Sequence, residues 1–491
     1  MTLLESGDVV RRDYADALDE IENAGWPRVT DQWLARNRIV GGTSHTWSGR
    51  CVPFDTIDFQ TRRWVPESGW PLSAESLTPY LDRAAPYLGM CFGTGFSDTR
   101  FWHLAGRPPP APRLDAQLLR SHFWQFSRDE SKPSDYTRFG VHLAAKLGAN
   151  VKLVTNATVC HINVNASGDA VQSVEVAAPG GERRTLRAKT IVLCAGGIEN
   201  ARLLLCSNRV VTAGLGNEHD RVGRYLMDHL RGPTANFQIK GAEHLRKLFG
   251  HYRIKGGQVF AHGVRLSDEV QQAEELLNCA AWLEGSILED DPWNALKRWL
   301  RGKPNPRQDA AAIFGNIGLL LRGARDYFIE RNGLLRKIGE LRLVCMCEQI
   351  PDPESRVTLS AQRDRLGMPR ARIDWRVHEL EAQTLRRLTE LVTVEFARVG
   401  LPVPRPYTWV RDHAPLPQTF QDVAHPTGTT RMGTDPACSV VDTQCKVHGI
   451  EGLYVAGSSV FPTSSHANPT QMIVALALRL ADTIKTRATQ N

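Results

Sequence analysis

The sequence predicts an α/β protein in which short parallel strands present a ligand site at their carboxyl ends. Residues 2–7 read as a strand that ends in an acid, Glu5, and a glycine turn, and an acid at that point binds ribose hydroxyls in nucleotide-binding βαβ units. Residues 190–197 are apolar up to a Gly-Gly pair, as in a strand covered on both faces. Residues 452–458 form a third strand that ends in a glycine turn.

The composition is that of a large globular protein. The 491 residues, 42% of them hydrophobic, suffice for two or more domains. No window approaches 18 uninterrupted apolar residues, so we expect no membrane span. The net charge of +7 is diffuse, which fits an anionic ligand and argues against a nucleic-acid partner.

The amino terminus and the cysteines favour a cytoplasmic protein. MTLLESGDVV has no basic region followed by an apolar stretch, so no secretory signal is visible. The ten cysteines form no CxxC pair, and several lie in apolar strand-like runs, which predicts reduced, buried thiols. Cys345 and Cys347 would share a strand face, but no further ligands accompany them, and no metal site is predicted.

The remaining elements follow in chain order. Residues 9–38 read as helix and connecting segments, and the glycine-rich loop at 38–50 would let backbone N–H groups approach a flat or phosphorylated ligand. Strands are predicted at 151–154, 157–162, 173–176 and 356–360, and helices at 199–206, at 379–399 and from Asn468-Pro469 onward.

Residues 291–340 allow two interpretations. They contain KRWLRGKPNPR followed by an apolar run at 313–321. A basic amphipathic surface that touches a membrane is one interpretation. A packed insertion or an oligomer contact is favoured, because Gly315, Gly318 and Gly323 interrupt the helical pattern.

Six motifs, in this order, resemble the glucose-methanol-choline (GMC) oxidoreductase family, and more closely its pyranose-oxidising branch. They are GGTSHTWSGR at 41–50, IVLCAGGIENARLLL at 191–205, VGRYLMDH at 222–229, EQIPDPESRVTL at 348–359, HPTGTTRMG at 425–433 and GLYVAGSSVFPTSSHANPTQMIVALALRLAD at 452–482. The ordered set spans nearly the whole chain.

The resemblance implies an α/β fold with an FAD/NAD(P)-binding Rossmann-like domain and an α+β substrate domain on an antiparallel sheet. The FAD-binding domain would be discontinuous, with residues 1–60, 150–235 and 425–491. Residues 61–149 would form lid or connecting segments, and residues 236–424 the substrate-binding domain.

The chemistry of alcohol oxidation agrees with the resemblance. Removing a hydroxyl proton needs a base that titrates near neutrality, which histidine provides, and a flavin accepts the hydride that no side chain can take. By resemblance His425 is the catalytic base, and Asn468 is its partner, which hydrogen-bonds the substrate oxygen. His466 is assigned to the substrate rim, with a smaller chance of acting as the base itself.

The resemblance also assigns the FAD contacts. Glu5 would hold the adenosine ribose, Val159 would contact adenine through its backbone, and Ala195 would line the diphosphate. The contacts to the rest of FAD would come from Gly42, Thr43, Thr46, Trp47, Gly457, Ser458, Asn468, Pro469 and Thr470. Relatives with covalent flavin carry a histidine immediately before the tryptophan. Here Thr46 holds that place and His45 is one residue too early, so we expect non-covalent FAD.

The chain departs from the family pattern at its start. The GxGxxG loop should lie about 20 residues before Glu5, and only four residues precede it. We therefore expect the Rossmann-like domain to be N-terminally truncated and the polypeptide from Met1 to fold and bind FAD poorly, most simply because the start codon is placed too late.

The predicted function is FAD-dependent oxidation of a secondary CH–OH group of a sugar or another alcohol, with an unidentified electron acceptor and no nucleic-acid partner, and an oligomer is possible. The alternatives are a truncated inactive relic and a flavin-containing lyase of the same fold.

Overall fold

The computed structural model describes residues 1–490 except 30, 92, 94–97, 107, 110–111, 133–134, 255–256 and 304. The strands are β1 Thr2–Leu4, β2 Ile21–Asn23, β3 Arg50–Cys51, β4 Leu119–Phe126, β5 Lys152–Val154, β6 Thr158–Val164, β7 Val171–Ala177, β8 Arg183–Arg187, β9 Ile191–Leu193, β10 Leu230–Phe237, β11 His251–Arg253, β12 Val259–Leu266, β13 Cys279–Ile287, β14 Ile338–Cys347, β15 Arg356–Arg363, β16 Pro369–Asp374, β17 Arg405–Pro406 and β18 Leu453–Val455. The helices are α1 Asp13–Asp16, α2 Thr56–Phe59, α3 Ala74–Tyr87, α4 Asp98–Ala105, α5 Phe139–Lys146, α6 Gly196–Cys206, α7 Glu243–Leu248, α8 Asp268–Ala273, α9 Pro292–Leu300, α10 Pro306–Phe314, α11 Ile317–Phe328, α12 Glu379–Arg398, α13 Thr408–Arg411 and α14 Thr470–Gln490.

An antiparallel sheet dominates one side of the molecule, as predicted. Its strand order is β17-β10-β14-β13-β12-β4-β3, with β11 paired to β12. Helix α12 packs on β10, β13 and β14. Strands β3 and β4 precede residue 150, so this sheet draws on the segments before 236 as well as on 236–424.

The predicted parallel strands form two separate pairs. β1 pairs with β5, and β9 pairs with β18, both in parallel register. Among the described residues no backbone ladder joins one pair to the other. A three-stranded antiparallel sheet, β6-β7-β8, accompanies them. Because the carboxyl ends of parallel strands meet at one edge, each pair presents its loops to one side.

Residues 9–38, predicted as helix and connecting segments, contain little helix and one unpredicted strand. Only α1 and two short 3₁₀ turns are helical there, and β2 pairs in parallel with β16. The reason is tertiary contact. Gly25 lies so close to the Trp375 backbone that a Cβ would meet it at 2.4 Å, which brings this segment against the sheet and overrides local helix propensity.

The glycines of residues 291–340 act differently from one another. α10 ends before Gly315, as predicted, but α11 continues through Gly318 and Gly323. A Cβ on Gly323 would lie 3.0 Å from the Trp293 ring, so this glycine allows α9 and α11 to pack closely. No helix among the described residues is long and apolar enough to cross a membrane.

Candidate active site

His425 sits in a loop whose backbone is held by buried charges. Its N–H donates to Asp228 at 3.0 Å to Oδ1 and 3.1 Å to Oδ2. Arg28 donates to both Asp228 (2.9 Å) and Asp422 (3.0 Å), and all three side chains are almost completely buried. An uncompensated buried charge is costly, so the arginine and the two carboxylates stabilise one another and fix the loop at 422–425.

A chain of hydrogen bonds determines which nitrogen of His425 carries its proton. Nε2 of His229 lies 2.8 Å from the carbonyl of Ser465 and must donate to it, since a carbonyl only accepts. A neutral His229 therefore has an unprotonated Nδ1. That atom lies 2.8 Å from Nδ1 of His425, which must donate. The lone pair of His425 is left on Nε2, which has no partner among the described residues.

Both histidines are held in the neutral form. Burial lowers the pKa of His425 well below its usual value, and the neighbouring His229 and Arg231 lower it further. Burial also lowers the pKa of His229, against a smaller opposing effect of Asp228. His425 retains partial exposure, so a neutral imidazole with a free nitrogen meets an accessible space.

Asn468 approaches the same region from the carboxyl-terminal segment. Ser464 and Ser465, which shortly precede it in the chain, supply backbone carbonyl oxygens that lie 3.3 and 2.8 Å from Nε2 of His229. The Asn468 side chain is buried, and its Oδ1 has no hydrogen-bond partner among the described residues. That oxygen is therefore available to accept a hydrogen bond from a ligand.

Pro469 and Thr470 open α14, as predicted: the N–H of Ile473 donates to the Pro469 carbonyl at 2.9 Å. The structure places His466 in the interior. Its ring has no exposed surface and lies 3.5 Å from Asp55 and against His122. A direct substrate contact of His466 stays a prediction.

Glu5 lies at the carboxyl end of β1, as the ribose-binding role requires. Its Oε1 accepts from the N–H of Gly7 at 2.7 Å, and its own N–H donates to Val154 of β5. Burial raises its pKa, while Gly7 and Arg38 oppose that effect. The hydroxyl of Ser6 contacts Thr158 at 2.8 Å, which brings the neighbouring Val159 on β6 to the same edge.

Asn200 joins the carboxyl ends of β9 and β18. It accepts from the N–H of Ala195 at 2.8 Å and donates to the Ala456 carbonyl at 3.1 Å. Gly457 has φ +111°, and a Cβ there would meet only open space up to Asn200 Nδ2 at 4.0 Å. Ser458 donates to Pro426, next to His425, at 2.7 Å. Ala195, Gly457 and Ser458 therefore form one edge beside the loop that carries His425.

The glycine-rich loop packs against α5. Gly42 has φ +55°, and a Cβ there would meet nothing within 4 Å, so its backbone borders open space. The Trp47 indole donates to Thr137 at 3.0 Å. Nε2 of His45 lies 2.9 Å from the Val40 carbonyl, so that nitrogen is engaged within the protein. Thr43 and Thr46 belong to the same turn, where the Thr46 N–H donates to the Thr43 carbonyl.

These features fit a flat, phosphorylated cofactor. The glycine backbones bordering open space permit close approach, the acid lies at a parallel strand end, and Oδ1 of Asn468 has no partner in the described part of the chain. The described residues contain no cluster of three or more His, Cys, Asp or Glu side chains that could hold a metal ion.

Sequence reasoning missed His229, Asp228 and Arg28. The first two lie in the motif VGRYLMDH, which carried the family resemblance but was assigned no chemistry. Arg28 lies in the segment at 9–38, and no local pattern marks it.

Comparisons with known proteins agree with this geometry. Two family models described as GMC oxidoreductase match, one at residues 132–231 and the other at 351–477. The chain is 26% identical to 2-methyl-1,2-propanediol dehydrogenase of Mycolicibacterium austroafricanum over 93% of this chain and 82% of that protein. It is 25% identical to 6'''-hydroxyparomomycin C oxidase of Streptomyces lividus over 94% and 80%.

Solved structures share the fold. Formate oxidase of Aspergillus oryzae RIB40 matches with a TM-score of 0.57 and 19% identity, covering 100% of this chain and 94% of that one. Pyridoxine 4-oxidase of Mesorbium loti matches with a TM-score of 0.58 and 16% identity, covering 98% and 93%. With its motifs in family order, its antiparallel sheet and both family models, the chain belongs to the GMC oxidoreductases, a family of FAD-dependent oxidases and dehydrogenases.

Proposed function

We propose that the chain oxidises a secondary CH–OH group of a sugar or glycoside, with His425 as the base. The observation that carries this proposal is the hydrogen-bond chain from Ser465 through His229 to His425, which leaves an unprotonated Nε2 on a neutral, partly exposed imidazole. The relatives support the reaction class, because their names describe a methylpropanediol dehydrogenase and a hydroxyparomomycin oxidase.

Each residue has a distinct task. Nε2 of His425 takes the hydroxyl proton, and the Asn468 amide hydrogen-bonds the substrate oxygen. His229 keeps the His425 proton on Nδ1 and thereby orients the lone pair. A bound flavin supplies a hydride acceptor at N5. Glu5, Ala195, Gly457 and the loop at 42–47 would hold that cofactor, without a covalent bond to His45, whose Nε2 already contacts Val40.

The tryptophan content does not add to the case for a sugar. Half of the 12 tryptophans are buried in the core. These are Trp70, Trp102, Trp124, Trp282, Trp375 and Trp409. The proposed sugar class therefore rests on the relatives.

Anaerobic reduction of FAD by a panel of sugars, glycosides and simple alcohols tests the proposal. We expect substrate to bleach the flavin, and His425→Ala to slow bleaching by about 10²–10⁴-fold. His219→Ala, which removes an exposed histidine, is the matched control and should leave the rate unchanged. Substrate conversion without bleaching would instead identify a lyase, and an FAD-loaded protein that converts nothing would identify a relic.

A further inference from the structure

One face of the antiparallel sheet covers the catalytic histidines. Side chains alternate along a strand, and cross-strand partners share a face. The register of β10, β14 and β13 therefore places Arg231 and Trp282 on one face, and the Arg231 guanidinium lies 5.4 Å from the Trp282 ring. His229 lies two residues before Arg231, on the same side, and contacts His425.

Arg50 on β3 extends over the same ring. Its guanidinium carbon lies 4.6 Å from the Trp282 ring centre and 5.3 Å from that of Trp124. Both indoles are buried, so they fix the plane on which the guanidinium rests. Arg50 and Arg231 thus meet at one aromatic surface next to the catalytic loop.

Arg50 has no direct ion-pair partner among the described residues, whereas Arg231 pairs with Glu284. Arg50 also makes no hydrogen bond in the part of the chain that the structure describes, yet its nitrogens keep accessible surface. Burial and the nearby Arg231 lower its pKa to about 10, and Glu284 opposes that effect only in part. An enclosed, unpaired guanidinium is unfavourable until an anion satisfies it.

We propose that Arg50 binds a carboxylate of the substrate, so that the chain oxidises an acidic sugar or glycoside. This rests on the proposed oxidation of a sugar CH–OH group. A guanidinium presents parallel N–H donors that match a carboxylate, and the buried indoles of Trp124 and Trp282 hold the Arg50 guanidinium in place. The carboxylate would sit under the sheet while a ring hydroxyl faces His425.

Matched sugar pairs test this inference on the FAD-loaded protein. Glucuronate is compared with glucose, and galacturonate with galactose, by anaerobic flavin reduction. We expect a lower KM for the acids, and Arg50→Met to raise that KM by about 10- to 100-fold while changing the neutral sugars by less than about threefold. Arg50→Lys should fall between, and Arg63→Met, at an exposed position, is the control.

Each other outcome overturns the inference. Neutral sugars that reduce flavin better than the acids, with no effect of Arg50→Met, would leave the proposed function standing and remove the acidic substrate. An Arg50→Met protein with weakened FAD binding or an altered flavin potential would show that Arg50 serves the cofactor. If no sugar of either kind reduces flavin, the proposed function is contradicted, and the inference that rests on it is contradicted with it. Should Arg50→Met not fold, glucuronate binding to the Arg50→Lys protein by calorimetry decides.

A second, independent feature is an apolar surface on the helices α9 to α11. Seven large side chains there are 50–80% exposed, namely Trp299, Leu300, Phe314, Ile317, Leu321, Phe328 and Ile329. On α11, positions 317, 321 and 328 follow helical spacing on one stripe, and this stripe faces solvent where a surface helix normally turns its polar side. We call these seven residues the apolar surface.

Basic residues border the apolar surface. Residues 292–329 contain seven Lys and Arg against two acids, Asp309 and Asp326. Both acids are buried and already paired, with Arg298 and Lys247 respectively. Arg301, Lys303 and Arg307 are exposed and have no ion pair among the described residues. Arg322 and Arg325 pair with Glu243 and Glu330, so the unpaired exposed charge within residues 292–329 is positive.

We infer that the apolar surface lies on an anionic lipid bilayer. Apolar side chains beside Lys and Arg suit the boundary between acyl chains and anionic headgroups. A two-fold contact between copies would instead bring identical basic patches together, which is unfavourable. The helices would lie on the bilayer without crossing it.

Sedimentation of the FAD-loaded protein with vesicles tests this inference. Vesicles of phosphatidylcholine alone are compared with vesicles holding about 30% phosphatidylglycerol, at about 0.1 and 0.5 M salt. We expect binding to the anionic vesicles only, weakened by salt and reduced about tenfold or more by Leu321→Asp. Val394→Asp, at an equally exposed position on α12, should bind like the unaltered protein.

Two results would overturn it. The first is binding that Leu321→Asp leaves unchanged, or no binding to either vesicle. The second is light scattering that shows an oligomer which Leu321→Asp dissociates, because the apolar surface would then be a protein–protein interface.

Discussion

The hydrogen bond between His229 and His425 can be tested with two variants of His229. One keeps an aromatic ring without an acceptor, and the other keeps an acceptor without the ring. His229→Phe keeps an aromatic ring but removes the nitrogen that accepts from His425, so Nδ1–H loses its partner and the lone pair is no longer fixed on Nε2. We expect kcat to fall about 10- to 100-fold, as for loss of a buried hydrogen bond. His229→Gln offers a carbonyl acceptor and should retain more activity. Equal losses in the two variants would contradict the tautomer role.

The pH dependence of activity follows from the same site. Burial places the pKa of His425 well below the usual histidine value of about 6.5, so the neutral base persists at mildly acidic pH. Activity is therefore present above the lowered pKa and is lost only as the pH falls through it. We expect the acidic limb of kcat/KM below pH about 6.5. A limb at or above that value, with the protein still folded, would mean that another group is the base.

The sequence leads to His425 and Asn468 because each lies in a continuous motif. It does not lead to the role of His229, which is 196 residues from its partner. A single sequence carries no signal for such a contact, since it depends on how β10 and the loop at 422–425 are placed by the sheet and by the Arg28 cluster.

At the scale of elements, the start of α6 controls the position of the catalytic loop. A Cβ on Gly197 would meet the Pro426 carbonyl oxygen at 2.1 Å, one residue from His425. Gly197→Ala should therefore shift the loop, lowering the free energy of unfolding by about 1–3 kcal/mol and lowering kcat. Gly318→Ala on α11, where a Cβ meets only Arg322 at 3.6 Å, is the control and should be neutral or slightly stabilising. Denaturant titration and kcat measure both.

Two adjacent arginines test the link between the segment after α2 and the end of β14. Arg62 pairs through two hydrogen bonds with Glu348, and both are almost completely buried. Arg62→Met leaves that carboxylate alone and should lower the free energy of unfolding by about 3–5 kcal/mol. Arg63 pairs with Glu275 at the surface, so Arg63→Met should change it by less than about 1 kcal/mol in urea titration. Similar losses of stability in the two variants would contradict the expected difference between the buried and the exposed ion pair.

Elements with a long, regular pattern are predicted best. The helix expected at 379–399 is α12, which ends at Arg398, and the strand expected at 356–360 begins β15 at Arg356. β2 is not predicted, because its three residues have no strand pattern of their own and gain their partners only from β16. The conformation of such short segments is determined by the strands and helices against which they pack.

For the whole molecule, the number of cysteine thiols that react in the native state tests how much of the chain the fold buries. Only Cys91, Cys194 and Cys438 of the ten are exposed. A thiol reagent should therefore modify about three thiols in the native protein and ten after unfolding. Because Cys194 precedes Ala195, bound FAD should protect it. Rapid modification of most thiols, or Cys194 labelling that FAD does not change, would contradict this arrangement.

The order of the strands in the antiparallel sheet cannot be predicted from a single sequence. Strand β4 joins β12 across more than a hundred residues, and β3 joins β4; nothing in the composition of these strands identifies their partners. The presence of an antiparallel sheet follows from the family resemblance, but its membership depends on packing between distant segments.

The hydrogen-bond chain behind His425 ends at peptide carbonyls, and this restricts where a captured proton can travel. A carbonyl cannot receive the proton of His229 Nε2, so His229 cannot hand charge onward into the protein. If His425 is the base, as we propose, a proton that it gains at Nε2 must leave from the same side of the ring that faces the substrate. We then expect release of that proton to be coupled to departure of the oxidised product.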